Sequence, residues 1–378
     1  MNDIAARRIG VLGGGQLGRM MIQSAIDFNL NISVLDPDPN APCKNLVQDF
    51  QVGQLTDYDT VYAFGQACDL ITIEIEKVNT DALKALQSEG KQIFPQPEVI
   101  ELIQDKRKQK VFYKANRIPT SDFVLTENAE EVTTHEDFLP AVNKLGKGGY
   151  DGRGVQIIRT AADFDKAFDA PGLLERLVPF EKELSVVVAK NEQGEVRTFP
   201  VVECSYHPTE NLVEFLFSPA EITPEIEEKA RKLAEDVIDK LGMIGLLAVE
   251  MFLTKEGEVL VNEVAPRTHN SGHQTIEGNV TSQFEQHIRA IMDLPLGSTE
   301  LTRPSAMVNL LGEEGYTGHA LYQGLDEVMR MSDVHVHLYG KKETKPFRKM
   351  GHVTLGDQSV AALKQKAQEV KGTLKVIA

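Results

Sequence analysis

Two glutamates, Glu250 and Glu263, stand in two alternating segments near the middle of the 378-residue sequence. The segments, 248–253 and 258–264, flank a turn that contains Gly257, which is typical of an antiparallel β-hairpin. Two acids on one face of an apolar hairpin repel each other and resist burial. A divalent cation relieves both problems, and Mg²⁺ favours one or two carboxylates together with phosphate oxygens. The hairpin is therefore a candidate metal site; the alternative is a pair of acids that face solvent.

The turn length predicts the register of this hairpin. If Leu253 lies opposite Glu258, then Glu250 pairs with Val261. Because side chains repeat every second residue, Glu263 shares the face of Glu250, at a diagonal Cβ separation of roughly 7–8 Å.

The hairpin is followed by a polar loop, 266–273, with no core-forming period. It contains Arg267, His269, Asn270 and Ser271. Polar side chains concentrated on a loop that a hairpin holds in place favour anion binding.

A glycine-rich segment, 145–155, follows a predicted strand that ends in Lys144, and interleaves cations with Tyr150. Backbone N–H groups of such a loop wrap phosphates. No Gly-Lys-Ser/Thr closes it, so it is not a Walker loop. A flexible β-turn is the alternative.

The N-terminus predicts a strand, a glycine loop, a helix and a second strand. The loop has the pattern G-x-G-x-x-G at 13–18, and Asp36 closes the second strand. This predicts a doubly wound parallel sheet and makes a nicotinamide or flavin enzyme the first hypothesis. The ligand is less certain than the fold, because a glycine loop at a helix N-terminus suits any phosphate and Asp36 also suits the following turn.

A further strand, 69–76, ends in acids that include Glu74, near the same sheet edge as the glycine loop. Other predicted elements are helices at 78–89, 224–241 and, weakly, 319–331, a basic helix that begins at 105–110, and strands at 306–311 and 335–339.

Composition excludes several classes of protein. The net charge of −16 disfavours phosphate-backbone binding to nucleic acid. Three scattered cysteines indicate neither a disulfide framework nor a zinc site. No apolar run approaches the roughly 20 residues of a membrane span, and the N-terminus lacks a signal-peptide cleavage site. We expect a cytoplasmic enzyme with two or three domains.

Five stretches in this order resemble the ATP-grasp superfamily and, within it, the family of 5-(carboxyamino)imidazole ribonucleotide synthases. The stretches are 13–20, 149–154, 266–273, 339–341 and 348–352. The resemblance implies an α/β ATP-grasp architecture with an N-terminal doubly wound parallel sheet domain, a small lid domain and a mixed α+β C-terminal domain. The implied boundaries are 1–105, 106–178, 179–300 and 301–378.

The implied reaction joins bicarbonate to 5-aminoimidazole ribonucleotide, with ATP converted to ADP and phosphate through carboxyphosphate, in purine biosynthesis. The implied cofactor is Mg²⁺, with Mn²⁺ as a substitute. The implied partners are these small molecules and a second copy of the chain, with no nucleic acid and no membrane.

The resemblance also assigns roles to residues. Metal ligands are Glu250 and Glu263. Catalytic residues are Tyr150, Arg153, Arg267, His269, Lys342 and Arg348. ATP contacts are Lys106, Lys144, Gly149, Tyr150, Asp151, Gly152, Arg153, Gly154, Val155, Glu175, Arg176, Leu177, Val178, Glu183, His207, Asn262 and Glu263. Contacts to the aminoimidazole nucleotide are Gln16, Glu74, Arg267, His269, Asn270, Ser271 and Arg348.

The sequence departs from the family pattern at three positions. Lys77 stands where His or Asn is usual, which puts its contact in doubt. Thr268 replaces a proline, while Arg267 and His269 remain. Lys106 replaces an arginine, so its contact is a point charge rather than a fork.

Three alternatives stay open. A dehydrogenase explains about the first 40 residues and leaves the acidic hairpin without a role. A related ATP-grasp ligase would use formate or an amino acid instead of bicarbonate. A non-catalytic nucleotide-binding module has less need of two acidic metal ligands.

Overall fold

The computed structural model describes residues 4–149, 154–206 and 212–378. Its N-terminal part is a five-stranded parallel sheet with the order β3-β2-β1-β4-β5. The strands are β1 (Arg8–Leu12), β2 (Asn31–Asp36), β3 (Asp49–Val52), β4 (Leu70–Ile73) and β5 (Gln92–Ile93). The helices are α1 (Gln16–Asp27), α2 (Tyr58–Gln66), α3 (Thr80–Ser88) and α4 (Pro97–Ile103), after a 3₁₀ turn at Ile4–Ala6. The predicted doubly wound parallel sheet is confirmed.

A four-stranded antiparallel sheet follows, with the order β6-β9-β7-β8. Its strands are β6 (Phe123–Thr126), β7 (Ala141–Leu145), β8 (Val155–Ile158) and β9 (Gly172–Arg176). Helix α5 (Lys106–Ala115) leads into it, and α6 (Ala129–Thr133) and 3₁₀ turns at Glu136–Phe138 and Ala161–Lys166 connect its strands.

The largest sheet runs β15-β14-β10-β12-β13-β16-β21-β19, with β11 paired to β10. Its strands are β10 (Phe180–Lys190), β11 (Val196–Thr198), β12 (Val202–Tyr206), β13 (Val213–Ser218), β14 (Gly245–Thr254), β15 (Val259–Ala265), β16 (Ser305–Leu311), β19 (Val334–Leu338) and β21 (Lys349–Gly356). Small ribbons pair β17 (Gly318–His319) with β20 (Glu343–Thr344), and β18 (Leu321–Gln323) with β22 (Lys375–Ile377). The last 74 or so residues thus extend the central sheet and add these two small ribbons.

The helices of this part are α7 (Pro224–Leu241), α8 (Thr275–Gly278), α9 (Gln283–Ile291), α10 (Leu325–Val328) and α11 (Val360–Thr373), with a 3₁₀ turn at Asn270–Gly272. Helix α7 has the predicted bounds. Thr223 accepts a hydrogen bond from the N–H of Ile226 at its start, and Gly242 at φ 60° ends it.

Two element predictions are wrong. The helix predicted at 319–331 is helical only over α10, because Gly324 in the left-handed region at φ 81° separates it from β18. The strand predicted at 69–76 ends at Ile73, so Glu74 and the acid that follows it lie on the loop beyond the strand.

One core joins the N-terminal sheet to the central part of the chain. Met20 and Met21 of α1 pack in one buried cluster with Phe284 and Ile288 of α9. Among the described residues, no helix has the length and apolarity needed to cross a membrane.

Candidate active site

The two acids of the hairpin lie directly opposite each other. Strand β14 pairs Met251 with Val261 and Glu250 with Glu263, so Asn262 is an extra residue in β15. The predicted pairings of Leu253 with Glu258 and of Glu250 with Val261 are wrong. The turn pairs Leu253 with Val259, which shifts the register by one residue, and the bulge shifts it by one more and turns the following side chain toward the same face. The shared face of the two acids is confirmed, and they are closer than a diagonal pair.

The acid pair has an uneven charge distribution. Burial, reinforced by the charge of Glu263, raises the pKa of Glu250. Lys106, at the start of α5, donates to Glu263 and holds the pKa of that carboxyl well below its ordinary value. One acid therefore holds a proton under conditions where the other is ionised.

This arrangement fits a hard divalent cation. Lys106 pairs with Glu263, and the raised pKa of Glu250 favours its neutral form, so positive charge is already favoured at the position where a cation would bind. The described residues contain no group of three or more His, Cys, Asp or Glu side chains positioned to hold a metal by themselves. Glu250 and Glu263 would therefore share a Mg²⁺ ion with phosphate oxygens and water.

Lys144 at the end of β7 reaches the same face from the four-stranded sheet. Its ammonium group donates to Asn262 Oδ1 at 3.0 Å and to Glu175 Oε1 at 3.1 Å. Because of the bulge, Asn262 contacts Lys144 and Glu263 contacts Lys106. The two lysines belong to separate elements, β7 and α5. An anion that displaced these contacts would meet two cations beside two acids.

The loop after β15 places His269 against the acid pair. His269 Nδ1 accepts from the N–H of Ser271 at 3.3 Å, so the ring hydrogen lies on Nε2, which is 3.5 Å from Glu250 Oε1. Ser271 is buried beneath the ring, and its Oγ lies 2.9 Å from Nδ1 and 2.8 Å from Ser185 Oγ of β10. Ser271 is therefore placed to orient His269.

Two other loop residues are fixed by partners that the sequence analysis did not select. Arg267 Nη2 donates to Glu76 Oε2 at 3.1 Å, and its Nε lies 2.9 Å from Oε1, so the two residues form an ion pair that ties the loop to the N-terminal domain. Asn270 exchanges two 3.0 Å amide hydrogen bonds with Asn309 of β16. The loop is thereby held from both sides.

The glycine loop uses its N–H groups internally. Gly14 N–H donates to Asp36 at 2.6 Å, and Leu17 N–H donates to Glu74 at 3.1 Å. A Cβ on Gly15 would lie 2.5 Å from Glu74 Oε1, so glycine is needed for this approach. Burial raises the pKa of Glu74 to about 7, against the lowering effect of Arg267 and backbone N–H groups. Gln16 follows as the first residue of α1.

Strands β10 and β12 line an open pocket of about 330 Å³. Phe180, Glu183, Cys204 and Tyr206 are among the residues that line it. Burial raises the pKa of Glu183, which hydrogen-bonds Tyr206.

The predicted linker contacts lie just before Phe180 in the chain and are held by other partners. Leu177 N–H donates to Pro140 O at 3.0 Å, while Val178 accepts from Phe180 N–H at 2.9 Å. The guanidinium carbon of Arg176 lies 4.4 Å from the Phe138 ring centroid. Glu175 is buried.

The position of several predicted residues relative to the acid pair is not described, and others lie in contacts of their own. Tyr150, Asp151, Gly152, Arg153 and His207 lie outside the described residues. Of the neighbouring loop residues, Gly149 and Gly154 are described. The carbonyl of Gly154 accepts from Leu145 N–H at 2.9 Å, and Val155 begins β8. Lys342 is exposed, and Arg348 donates to Glu343 O at 2.7 Å.

The structure also reveals site residues that sequence analysis passed over. The charge of Lys349, next to Arg348, acts on Glu250. Glu76 holds Arg267, and Lys110 contacts Glu175. Lys349 and Glu76 lie close to predicted site residues, and Lys110 lies within the basic run at 105–110. Neither spacing nor periodicity in the sequence distinguishes these three residues from neighbours that face solvent.

Three family models match consecutive parts of the chain. A ribonucleotide synthetase preATP-grasp domain matches residues 6–104, an ATP-grasp domain matches 111–284, and a phosphoribosylaminoimidazole carboxylase C-terminal domain matches 305–366.

Whole-chain relatives agree with these matches. The N5-carboxyaminoimidazole ribonucleotide synthase of Bacillus subtilis is 39% identical over 93% of this chain and 91% of its own. The chain spans 65% of the length of a longer relative from Vigna aconitifolia, phosphoribosylaminoimidazole carboxylase.

Solved structures show the same similarity. N5-carboxyaminoimidazole ribonucleotide synthetase from Thermotoga maritima has a TM-score of 0.91 and 44% identity, over 98% of this chain and 99% of its own. The Aspergillus clavatus synthase in complex with ADP and 5-aminoimidazole ribonucleotide has a TM-score of 0.89 and 32% identity, over 98% of both chains. The chain belongs to the ATP-grasp superfamily and, within it, to the N5-carboxyaminoimidazole ribonucleotide synthase family that its motifs resemble.

Proposed function

We propose that this chain is an ATP-dependent C–N ligase that carboxylates 5-aminoimidazole ribonucleotide with bicarbonate. The products are 5-(carboxyamino)imidazole ribonucleotide, ADP and phosphate. One observation carries the proposal beyond family membership: Glu250 and Glu263 are paired across a bulged hairpin, with Lys106 and Lys144 on one side and His269 on the other. This geometry supports phosphoryl transfer beside the site that we propose for the second substrate.

In the first step, a bicarbonate oxygen attacks the γ-phosphorus of ATP, and the bond to the β-phosphate oxygen breaks. ADP leaves and carboxyphosphate forms. Lys106 and Lys144 neutralise charge on the transferring group. The resemblance assigns the segment 149–155 to the same phosphates. Mg²⁺ held by Glu250 and Glu263 would supply further charge neutralisation at the phosphates.

In the second step, the amine nitrogen of the aminoimidazole forms a bond to the carboxyl carbon of carboxyphosphate, or to CO₂ released from it. The carbon–oxygen bond to phosphate breaks, and the departing phosphate takes the amine proton. Exclusion of water matters here because carboxyphosphate hydrolyses readily.

The nucleotide substrate would sit between the N-terminal sheet and the loop 266–273. Glu74 and Gln16 border it on one side, and Arg267 and His269 on the other. The Nε2 hydrogen of His269 is directed at Glu250 of the acid pair. We propose that it stabilises the charge that develops on the transferred carboxyl group of the substrate. Asn270 and Ser271 support this loop, with Tyr150, Arg153, Lys342 and Arg348 as further proposed contacts. Glu175, Arg176, Leu177, Val178, Glu183, His207 and Asn262 are the proposed ATP contacts on the linker side, with Asp151 and Gly152 in the covering loop.

The proposal is tested by measuring Mg²⁺-dependent ADP release from ATP, with each substrate omitted in turn. We expect release that requires 5-aminoimidazole ribonucleotide, formation of the carboxylated product with labelled bicarbonate, and loss of both in Glu263→Gln. Release that depends on formate or an amino acid and not on bicarbonate would overturn the substrate assignment. ATP binding without turnover would instead support a non-catalytic module.

The homodimer implied by the resemblance and the cytoplasmic location expected from the composition remain predictions. Sedimentation velocity at micromolar concentration tests the first, because a monomer over a wide concentration range would contradict it.

A further inference from the structure

Lys110 is a buried lysine close to Lys144, the buried lysine that we assign to ATP. Lys110, one helical turn after Lys106 on α5, is 2% exposed. Its ammonium group lies 2.6 Å from Thr120 Oγ1, 3.0 Å from Ser121 Oγ and 3.1 Å from Glu175 Oε2. These three acceptors match the three hydrogens of an ammonium group.

Glu175 is shared between two lysines. Its Oε2 also accepts from Ser121 Oγ at 2.9 Å, and its Oε1 lies 3.1 Å from the ammonium of Lys144. The carboxyl is 4% exposed and Lys144 is 7% exposed. Burial tends to raise the pKa of Glu175, yet the charges of Lys144 and Lys110 hold it below its ordinary value. The network contains two cations and one anion.

The two lysines differ in how they are held. Each contact of Lys110 is to a residue inside the fold, and Thr120 is itself anchored by a 2.7 Å hydrogen bond to Val261 O. Lys144 makes its other contact to Asn262, which is adjacent in sequence to Glu263. Lys144 is thus the lysine that borders the phosphate site, and Lys110 is the one fixed behind it.

We propose that Lys110 is a positioning residue that serves as the permanent counter-ion of Glu175 and thereby releases Lys144 to bind the phosphates of ATP. This inference rests on the proposed function, because that function assigns Lys144 to ATP. When ATP enters, Lys144 exchanges a carboxylate for a phosphate, and Glu175 stays neutralised by Lys110 and hydrogen-bonded by Ser121.

Without Lys110, the same exchange is costly. Among the described residues, Glu175 would keep Lys144 as its remaining ion-pair partner, so ATP would have to take Lys144 from a buried carboxylate. We expect Lys110→Met to raise KM for ATP roughly 10- to 100-fold, with a smaller change in kcat at saturating ATP.

The experiment compares KM for ATP and the Kd from calorimetry in Lys110→Met, Lys144→Met, Glu175→Gln and the double variant Lys110→Met/Glu175→Gln. The double variant removes the buried charge together with its counter-ion, so its KM should return to within a few-fold of the parent value. Lys108→Met is the matched control, because Lys108 lies on the same helix, is exposed and pairs with Glu101 at 2.8 Å. Its KM should not change.

The outcomes separate this inference from the function that it rests on. If Lys144→Met leaves ATP affinity unchanged, the assignment of Lys144 to ATP is wrong. If Lys144→Met weakens ATP binding while Lys110→Met lowers only thermal stability, Lys110 is merely structural and the proposal is overturned. A double variant whose KM stays as high as that of Lys110→Met would also overturn it. Should Lys110→Met not fold, Lys110→Gln, which can still bond Thr120 and Ser121, carries the same comparison.

Discussion

The side-chain amide of Gln283 hydrogen-bonds the backbone of His269 on both sides. Its Nε2 donates to His269 O at 2.7 Å, and its Oε1 accepts from His269 N–H at 2.9 Å. Gln283 is fully buried as the first residue of α9, and a Cβ on Gly272 would lie 2.4 Å from its Oε1. The loop that carries His269 is thus docked on a helix that also packs against the N-terminal sheet.

Gln283→Met should therefore lower both stability and activity. Methionine is similar in length but leaves two buried backbone groups of His269 unpaired, at a cost of about 2–5 kcal/mol in the free energy of unfolding. We expect kcat/KM for the aminoimidazole nucleotide to fall at least about tenfold, because His269 loses its fixed position. Steady-state kinetics and urea denaturation measure the two effects.

Gln286 provides the matched control for this variant. It is also fully buried on α9 and makes the same two-sided contact, at 3.0 and 2.8 Å, with the backbone of Gly297. Gln286→Met should lower stability to a similar extent with little effect on kcat/KM. Equal losses of activity in both variants would show that the contact of Gln283 has no special relation to the site.

Binding of Mg²⁺ should become tighter as pH rises. The pKa of Glu250 is raised by burial and by Glu263, and a cation binds the carboxylate form, so a proton must leave Glu250 on binding. For one proton released, the apparent affinity increases by at most about tenfold per pH unit below that pKa. The activating concentration of free Mg²⁺, measured at about pH 6 and about pH 8.5 with saturating substrates, checks this.

The variant Glu250→Gln is the control for the Mg²⁺ measurement. It should bind Mg²⁺ more weakly and lose most of the pH dependence, because no acid remains there to titrate. A dependence that persists unchanged in Glu250→Gln would assign the proton to another group.

Gly15→Ala should act through Glu74 rather than through the backbone. Gly15 has φ −74°, which alanine adopts without strain, but the new Cβ would lie 2.5 Å from Glu74 Oε1 and displace that carboxylate. We expect KM for the aminoimidazole nucleotide to rise about tenfold, with a change of less than about 1 kcal/mol in stability. Gly372→Ala, which meets no atom within 4 Å, should leave KM unchanged. An unchanged KM in Gly15→Ala would separate Glu74 from substrate binding.

Buried histidines should make the fold sensitive to acid. Burial lowers the pKa of His287 from 6.5 to about 4, and it also lowers the pKa values of His273 and His352. An unfolded chain takes up a proton at these positions below about pH 6.5, while the folded chain stays neutral. Stability is therefore complete above that pH and falls toward pH 4, by about 3 kcal/mol for His287 alone.

Urea denaturation across this pH range, for the parent chain and for His287→Gln, isolates the contribution of His287. Glutamine does not titrate and can still bond Thr72, the partner of His287 at 2.9 Å. The variant should therefore lose less stability than the parent as pH falls. Parallel curves would show that the pKa of His287 is not shifted.

The sequence predicted those parts of the fold whose signals are local. The parallel sheet follows from buried strands and a glycine loop, and α7 follows from its period and from Gly242. The bulge at Asn262 has no comparable signal, because an extra residue in an alternating strand is visible only once its partner strand is known. This bulge, together with a turn that pairs Leu253 with Val259 instead of Glu258, explains why the predicted register of the acid pair is wrong although both acids were identified.

The basic start of α5 shows a second limit. A run of cations usually marks a solvated face, yet Lys106 and Lys110, four residues apart, share one face and turn toward Glu263 and Glu175. Their partners lie far along the chain, in strands of two different sheets. Only the packing of α5 against those sheets distinguishes these lysines from exposed Lys108.

The core shared by α1 and α9 has a consequence for synthesis of the chain. The five-stranded sheet is complete at Ile93, but α9, which covers Met20 and Met21, begins about 190 residues later. At ribosomal rates of about 5–20 residues per second, about 10–40 s pass between synthesis of the five-stranded sheet and synthesis of α9, which packs against the apolar face of α1. During that interval the nascent chain presents a surface that suits a chaperone.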